Sequence, residues 1–406
     1  MTLEAGRYVE LTWAPDFSHG SRRGRKAQRY KAFIPGRIAT ADPALGSATS
    51  ALAERAANAV RMLNADHAGL ASLEGMGQQM LRSEALASSQ IEGLSVSHRK
   101  LAEAELVGRH GHHNGREIMG TIRALECAVE IGADAGELDL DAITAIHSEL
   151  AIVPPLDRIA GQIRAEASWI GGSTPPNAEY VGPPHEEVKP LLRDLCRFIN
   201  RDDIPPIPQA AIAHAQFELI HPFGDGNGRV GRCLIHVLLR RRGLAPKYVP
   251  PISLVLGANK DAYIAGLNAF RRGRVDEWVE QFARGIEVAA ERADEFSAEV
   301  AALQEDWRAL VKPVRSDAAV LPLIDVLPKY PVITAAVAEK EIGRSRPATI
   351  NALAQLGSLK ILTRHRNQKK GDSWEAKELF ALLGRFEEAA RQPLGDDARQ
   401  AARWPK

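Results

Sequence analysis

A chain of 406 residues has room for two or three domains, and 45% apolar with 25% charged residues is the balance of a soluble globular protein. A formal net charge of +1 supplies no global field for nucleic acid, so any basic site must be local. Three scattered cysteines, Cys127, Cys196 and Cys233, lack metal-type spacing and read as the reduced thiols of a cytoplasmic protein.

Residues 1–48 read as irregular, with Arg22, Arg23, Arg25, Lys26, Arg29 and Lys31 as a solvated basic arm. There is no apolar core of a signal peptide near the start, and no apolar run approaches the ~20 residues that span a bilayer. Helical patterning covers 49–69, 76–92 (stopping at Gly93), 116–132 and 139–151. At "SWIGGSTPPNAEYVGPP" two β-prone pieces, Trp169–Ile170 and Glu179–Val181, flank a Gly/Pro turn and predict a lone β-hairpin. A lone hairpin is marginal in water and must lean on something or have a task. Helices resume at 185–200, 208–220, 228–242, 259–272 and 275–310. After a break at Lys312–Pro313 come a helix at 317–328, a short helix near 334–342, "SRPATINALAQLGSLKIL" and a basic strand-like stretch to Trp374. That order is the order of a winged helix-turn-helix. Three regions follow: 1–115, helical; 116–312, a core with a trailing helix; and 313–406.

The densest chemistry lies in "FELIHPFGDGNGRVGR", residues 217–232. Pro222 disfavours helical continuation through His221. Gly224 and Gly226 allow the backbone to turn and to approach a ligand. Asn227 is a suitable N-cap, which predicts a helix from about Gly228 with its free N–H groups facing the loop. Such a terminus binds phosphate through donor geometry and dipole together. Arg229 and Arg232 share a helix face and suit two further phosphates. Asp225, the one carboxylate of the loop, suits Mg²⁺, which takes one or two carboxylates plus substrate phosphates. His221 at the loop mouth, with an ordinary pKa near ~6.5, suits proton abstraction at neutral pH. Together these residues form a kit for displacement at phosphorus. The formal GxGxxG of Gly226–Gly231 follows a helix and has no acidic residue about 20 positions on, so it is not a dinucleotide fingerprint.

At these residues the sequence resembles the Fic family, whose pattern HPFx(D/E)GN(G/K)RxxR is met at every specified position. The likeness extends to "IAHAQFELI" and "WIGG…AEYVGPP" and covers most of 30–290. It implies a mainly α Fic-type helical bundle with a small β-hairpin flap, here followed by the winged helix-turn-helix. It also implies transfer of AMP from ATP, with Mg²⁺, to a Tyr, Thr or Ser hydroxyl of a protein. By position, His221 resembles the general base and Asp225 the Mg²⁺ ligand. Gly226, Asn227 and Gly228 resemble the anion hole, with Arg229 for the β-phosphate and Arg232 for the γ-phosphate. Gly228 stands where the branch that phosphorylates its target has Lys. The hairpin at 167–183 resembles the flap that registers a target segment by strand addition. "SSQIEG" fits the family's inhibitory pattern through Ser88, Glu92 and Gly93, with Glu92 competing for Arg232. Near the adenine pocket only Tyr263 remains of a Tyr pair, with Ala262 before it; Gln216 is the other candidate there.

Self-modification and a homodimer are compatible with this reading, and a membrane is not a partner. Other uses of the same site are transfer of another nucleotide or phosphoryl group, or removal of AMP. A reading from a different class is a DNA-binding regulator that senses nucleotide. It draws on the C-terminal basic residues Arg344, Arg346, Lys360, Arg364, Arg366, Lys369 and Lys370, which could meet DNA or protein. His110, His112 and His113 read as a surface loop, and His147, His214 and His236 as ordinary helix histidines, with His214 paired to Glu218 four residues on.

Overall fold

A computed structural model describes residues 4–14, 27–65, 73–107, 113–134, 136–366 and 371–392. The elements begin with β1 (Arg7–Trp13), β2 (Gln28–Ile34), α1 (Ser47–Leu63), α2 (Leu73–Ile91), α3 (His98–Val107), α4 (His113–Ala133) and α5 (Leu140–Leu150). There follow β3 (Trp169–Ile170), β4 (Tyr180–Val181), α6 (His185–Ile199), α7 (Pro206–Ile220), α8 (Asn227–Arg241), α9 (Ile252–Ala258), α10 (Lys260–Arg271) and α11 (Val275–Val311). The last are α12 (Val320–Val326), β5 (Val332–Thr334), α13 (Ala335–Ile342), α14 (Arg346–Ser358), β6 (Thr363–His365), β7 (Ser373–Glu375) and α15 (Lys377–Ala390). The fold is mainly α, with small antiparallel sheets.

The chain divides into two compact units. The first comprises residues 1–55, 123–243 and 261–284. Its central element is α7, nearly every side chain of which is buried, so it shows no amphipathic stripe. Around it, α6 buries Val188, Leu191, Leu192, Leu195, Phe198 and Ile199, the spacing of one helix face. α8 lies close to α7. A Cβ added at Gly231 would meet Glu218 Oε1 at 2.3 Å and Phe217 Cδ1 at 3.0 Å. Any larger residue there would have to displace the Glu218 carboxylate and press on the Phe217 ring. Trp278, fully buried, donates from Nε1 to the Ala211 carbonyl at 2.7 Å and ties α11 to α7.

The expectation that residues 1–48 are irregular is corrected here. β1 and β2 pair along seven positions, from Arg7↔Ile34 to Trp13↔Gln28. The alternation is of period 2: Val9, Leu11 and Trp13 turn inward, Tyr30 and Ala32 likewise, while Arg29 and Lys31 face out. Those two basic residues therefore belong to the outer face of a strand. Arg22, Arg23, Arg25 and Lys26 lie outside the described residues. The hairpin at 169–181 is consequently not alone, because β2 packs beside β4. Phe33 of β2 meets Tyr180 of β4 at 6.4 Å between ring centres, and Trp13 meets Trp169 at 5.9 Å.

The second unit comprises residues 56–122, 244–260 and 285–406. α2 packs on α9 through Glu84. That side chain is fully buried, and its carboxylate accepts the Ser253 N–H at 2.8 Å and the Ser253 hydroxyl at 2.5 Å. In the C-terminal part, β5, β7 and β6 form one sheet in that order beside α12, α13 and α14. Arg82 of α2 donates to the Lys329 carbonyl at 2.7 Å, and Gln79 to the Pro328 carbonyl at 2.5 Å. The short helices α3 and α9, and α15, are elements that the sequence reading does not anticipate.

Candidate active site

Helix α7 ends at His221, which takes the left-handed conformation with φ 49° and ψ 61°. Its N–H still donates to the Phe217 carbonyl at 2.9 Å. A non-glycine residue in this region costs about 1–2 kcal/mol, so neighbouring bonds must hold it there. The imidazole Nδ1 lies 3.3 Å from the Glu218 carbonyl. A carbonyl only accepts, so Nδ1 carries a proton, and in the neutral ring Nε2 keeps the lone pair. His221 thus has the tautomer of a base at Nε2.

Between His221 and α8 the loop is anchored by Phe223, which is fully buried. Its ring stacks on that of His147, 3.9 Å apart and 3° from parallel. Asn227 does not cap α8, contrary to the sequence expectation. Gly226, at φ 80°, is the N-cap, and Asn227 is the first helical residue. The Asn227 side chain instead closes the loop, accepting the Phe223 N–H at 2.8 Å and donating to the Phe223 carbonyl at 2.9 Å. A left-handed cap explains the change, since Gly226 takes the turn that an extended cap residue would otherwise make.

His147 is a residue whose role sequence reasoning missed. It is fully buried, its Nδ1 accepts the Gly161 N–H at 2.9 Å, and its Nε2 lies 3.1 Å from the Asp225 carbonyl. With Nδ1 accepting, Nε2 must donate, so the neutral ring braces the loop backbone from beneath. Burial chiefly holds its pKa below the ordinary value, and the Arg229 charge acts in the same direction. On a helix in the sequence it is indistinguishable from any core histidine.

At the start of α8 the Val230 N–H donates to the Gly226 carbonyl at 3.1 Å, the first bond of the helix. Helix geometry leaves the N–H groups of Asn227, Gly228 and Arg229 directed toward the loop. Asp225 bends over this terminus, its Oδ1 accepting the Gly226 N–H at 2.5 Å, while the side chain stays 65% exposed. Arg229 is 4% exposed, and its Nη2 is 3.9 Å from Asp225 Oδ1. Its Nε and Nη1 are buried with no hydrogen-bond partner. Buried nitrogens without hydrogen bonds are costly, so an anion at this point would supply their acceptors. Arg232, on the same face, is 1% exposed.

The adenine-pocket candidates Tyr263 and Gln216 have hydrogen-bond partners of their own. Tyr263 is buried among His214 and Trp278, and its hydroxyl lies 2.8 Å from His214 Nε2. That bond supplies the partner that the sequence reading sought for His214 in Glu218. Burial first, and then the Arg232 charge, push His214 down to about 3. Gln216 donates to the Gly36 carbonyl at 2.8 Å and lines a cavity of about 550 Å³ together with Tyr8, Phe33 and Arg271.

In the second unit, "SSQIEG" forms the end of α2. Ser88 is 2% exposed within the helix, Glu92 follows the last turn and is exposed, and Gly93 takes φ 88°. The Leu94 N–H returns to the Ser89 carbonyl at 3.0 Å, which closes the helix end. Lys260 donates to the Ile91 carbonyl at 2.6 Å, a cation at the negative end of the helix dipole.

The hairpin pairs Trp169 with Val181 and Ile170 with Tyr180, with Gly171 and Gly172 at positive φ in the turn. Tyr180 donates its hydroxyl to the Leu219 carbonyl on α7, and the Arg271 guanidinium lies 5.4 Å from its ring centre. Ile170 remains 45% exposed. A second residue that sequence reasoning missed, Arg164, stands between the hairpin and α7 and is 9% exposed. Among the described residues no group of three or more His, Cys, Asp or Glu side chains converges as a metal site. The single Asp225 carboxylate therefore fits an ion that arrives with a polyphosphate, not a resident one.

Comparison with known proteins bears on these features. The profile of the Fic/DOC family matches residues 137–239, and that of the Fic/DOC family N-terminal region matches residues 50–130. Protein adenylyltransferase fic-1 of Caenorhabditis elegans is 30% identical over 187 residues, 44% of this chain and 33% of that protein. A probable protein adenylyltransferase of Aquifex aeolicus is 34% identical over 112 residues, 27% of this chain and 32% of that protein. The chain thus spans about a third of the length of these relatives. In fold, it is similar to a Fic family protein from Desulfovibrio desulfuricans, with TM-score 0.50 and 19% identity, over 82% of this chain and 96% of that one. It is likewise similar to Fic-1 from Caenorhabditis elegans, with TM-score 0.50 and 22% identity, over 64% and 74% of the two chains. With its motif loop between two packed helices and its hairpin, the chain is similar to the Fic/DOC family over residues 50–130 and 137–239, the stretches that the two profiles match.

Proposed function

We propose that the chain transfers AMP from ATP to a Tyr, Thr or Ser hydroxyl of a protein. The observation that carries this reading is Arg229: a buried guanidinium with two nitrogens that lack hydrogen-bond partners, behind a helix terminus whose backbone donors face the same loop. Relatives named protein adenylyltransferase support the reading. In the proposed reaction the target hydroxyl oxygen attacks the α-phosphorus of ATP. Its proton passes to His221 Nε2, the bond from the α-phosphorus to the bridging oxygen breaks, and pyrophosphate leaves. Gly226, Asn227 and Gly228 line the anion hole, and Arg229 and Arg232 hold the outer phosphates. Asp225 would hold Mg²⁺ there, and that ion supplies charge neutralisation on the phosphates.

The hairpin at 167–183 would present the target segment, with the exposed Ile170 on its outer strand. Glu92 restrains the site by pairing with Arg232 in place of the γ-phosphate. The region 313–406, read as a winged helix-turn-helix, serves contact with DNA or protein, in a cytoplasmic setting. The test is incorporation from α-labelled ATP. Wild type should label protein, and His221→Ala should lose about 10²–10⁴ in rate while binding ATP nearly as before. Bound ATP with no labelled protein would favour nucleotide sensing. Unchanged labelling by His221→Ala would reject the base.

A further inference from the structure

One buried cation in the first unit, Arg164, sends its hydrogen bonds to backbone carbonyls. Arg164 donates from Nε to the His221 carbonyl at 2.7 Å and from Nη2 to the Pro183 carbonyl at 2.8 Å. Nη2 also reaches the Ile220 carbonyl at 3.4 Å, and Nη1 the Glu166 carbonyl at 2.6 Å. Its own N–H donates to the Pro222 carbonyl at 2.9 Å. Glu166 precedes β3 and Pro183 follows β4, so both ends of the hairpin meet one guanidinium. Ile220, His221 and Pro222 are the end of α7 and the left-handed turn that carries the imidazole.

Burying a charge among neutral acceptors is an expensive way to join two loops. Only arginine has the planar fork of five N–H groups that these carbonyls require; an ammonium offers three donors from one point. The approach is close as well, since a Cβ at Gly182 would lie 3.3 Å from Arg164 Nη2.

We propose that Arg164 is a positioning residue that holds the hairpin and His221 at a set separation, so that a hydroxyl presented on β3 meets the base at Nε2. This rests on the proposed transfer reaction, and two readouts keep the two ideas apart. Full-length wild type, Arg164→Lys and Arg164→Ala are compared by amide hydrogen exchange and by labelling from α-labelled ATP. The lysine variant keeps the charge and the stem if the alanine variant fails to fold. Both should exchange faster over 166–183 and over 217–223, with α6 unchanged. Transfer should lose roughly 10²-fold in kcat, the scale of a small misplacement, while the KM for ATP stays within about twofold.

Exchange unchanged in either segment, faster exchange throughout the chain, or wild-type kcat in Arg164→Lys would each overturn the proposal. If wild type labels nothing, the transfer reading fails, and the exchange pattern alone decides whether Arg164 joins hairpin and loop.

Discussion

At Asn227 one side-chain amide satisfies both the N–H and the carbonyl of the buried Phe223. Asn227→Ala should leave both groups without their partner and cost about 1–3 kcal/mol. The shift should appear in urea unfolding, and an unmoved midpoint would show that the loop closes by other means. His214 argues a pH dependence. Its folded pKa, pushed down to about 3 mainly by burial, lies below the unfolded value near ~6.5. Between those values the unfolded chain binds the proton and the folded chain does not. Stability is therefore full above pH about 6.5 and is lost as pH falls toward about 3, by an amount on the order of a few kcal/mol. His147, also lowered by burial, acts in the same sense. His214→Gln retains a partner for the Tyr263 hydroxyl and should flatten the acid limb of an unfolding-against-pH series; an unchanged slope would place the titration elsewhere.

Among the elements, the end of α2 carries the side chain proposed to restrain the site, Glu92. The helix is held from two sides, by Ser253 on Glu84 and by Lys260 on the Ile91 carbonyl, and Glu92 projects just beyond the last turn. The C-terminal end of a helix disfavours a carboxylate, and Lys260 brings a cation to this one. On the proposed reading, Glu92→Gly should raise self-labelling from α-labelled ATP by at least about tenfold, the response to some 1.4 kcal/mol of lost restraint. Equal labelling of variant and wild type would make "SSQIEG" an ordinary helix end. The flap hairpin depends on its neighbours: two residues per strand are too few to stand alone, and Phe33, Trp13 and α7 supply its support.

For the molecule as a whole, the C-terminal region is part of the second unit and not an appendage to it. Pro328 and Lys329 accept from Gln79 and Arg82, and Glu387 of α15 lies 2.6 Å from His98 Nε2. A chain ending at Lys312 should therefore strip buried donors on α2 of their acceptors. Limited proteolysis should then open residues 73–107 at least about tenfold faster, as expected for a loss of a few kcal/mol. Undiminished protection of that segment in the truncated chain would show the region to be independent of α2.

The motif from His221 to Arg232 was legible in the sequence because its causes are local. Pro222 stops one helix, Gly226 turns the chain, and the next residues start another helix with its donors forward. The same locality made most helix bounds readable within a few residues. What only the tertiary structure decided are the contacts made at long range. Arg164 reaches His221 across 57 positions, and His147 reaches Asp225 across 78, neither with any local period to mark it. Asn227 became a loop clasp, and Tyr263 went to the core with His214, because burial and the positions of other helices chose their partners. The pairing of β1 with β2 follows the same rule. Its alternating residues are visible in the chain, but a strand becomes one only when another strand and a core accept its inner face.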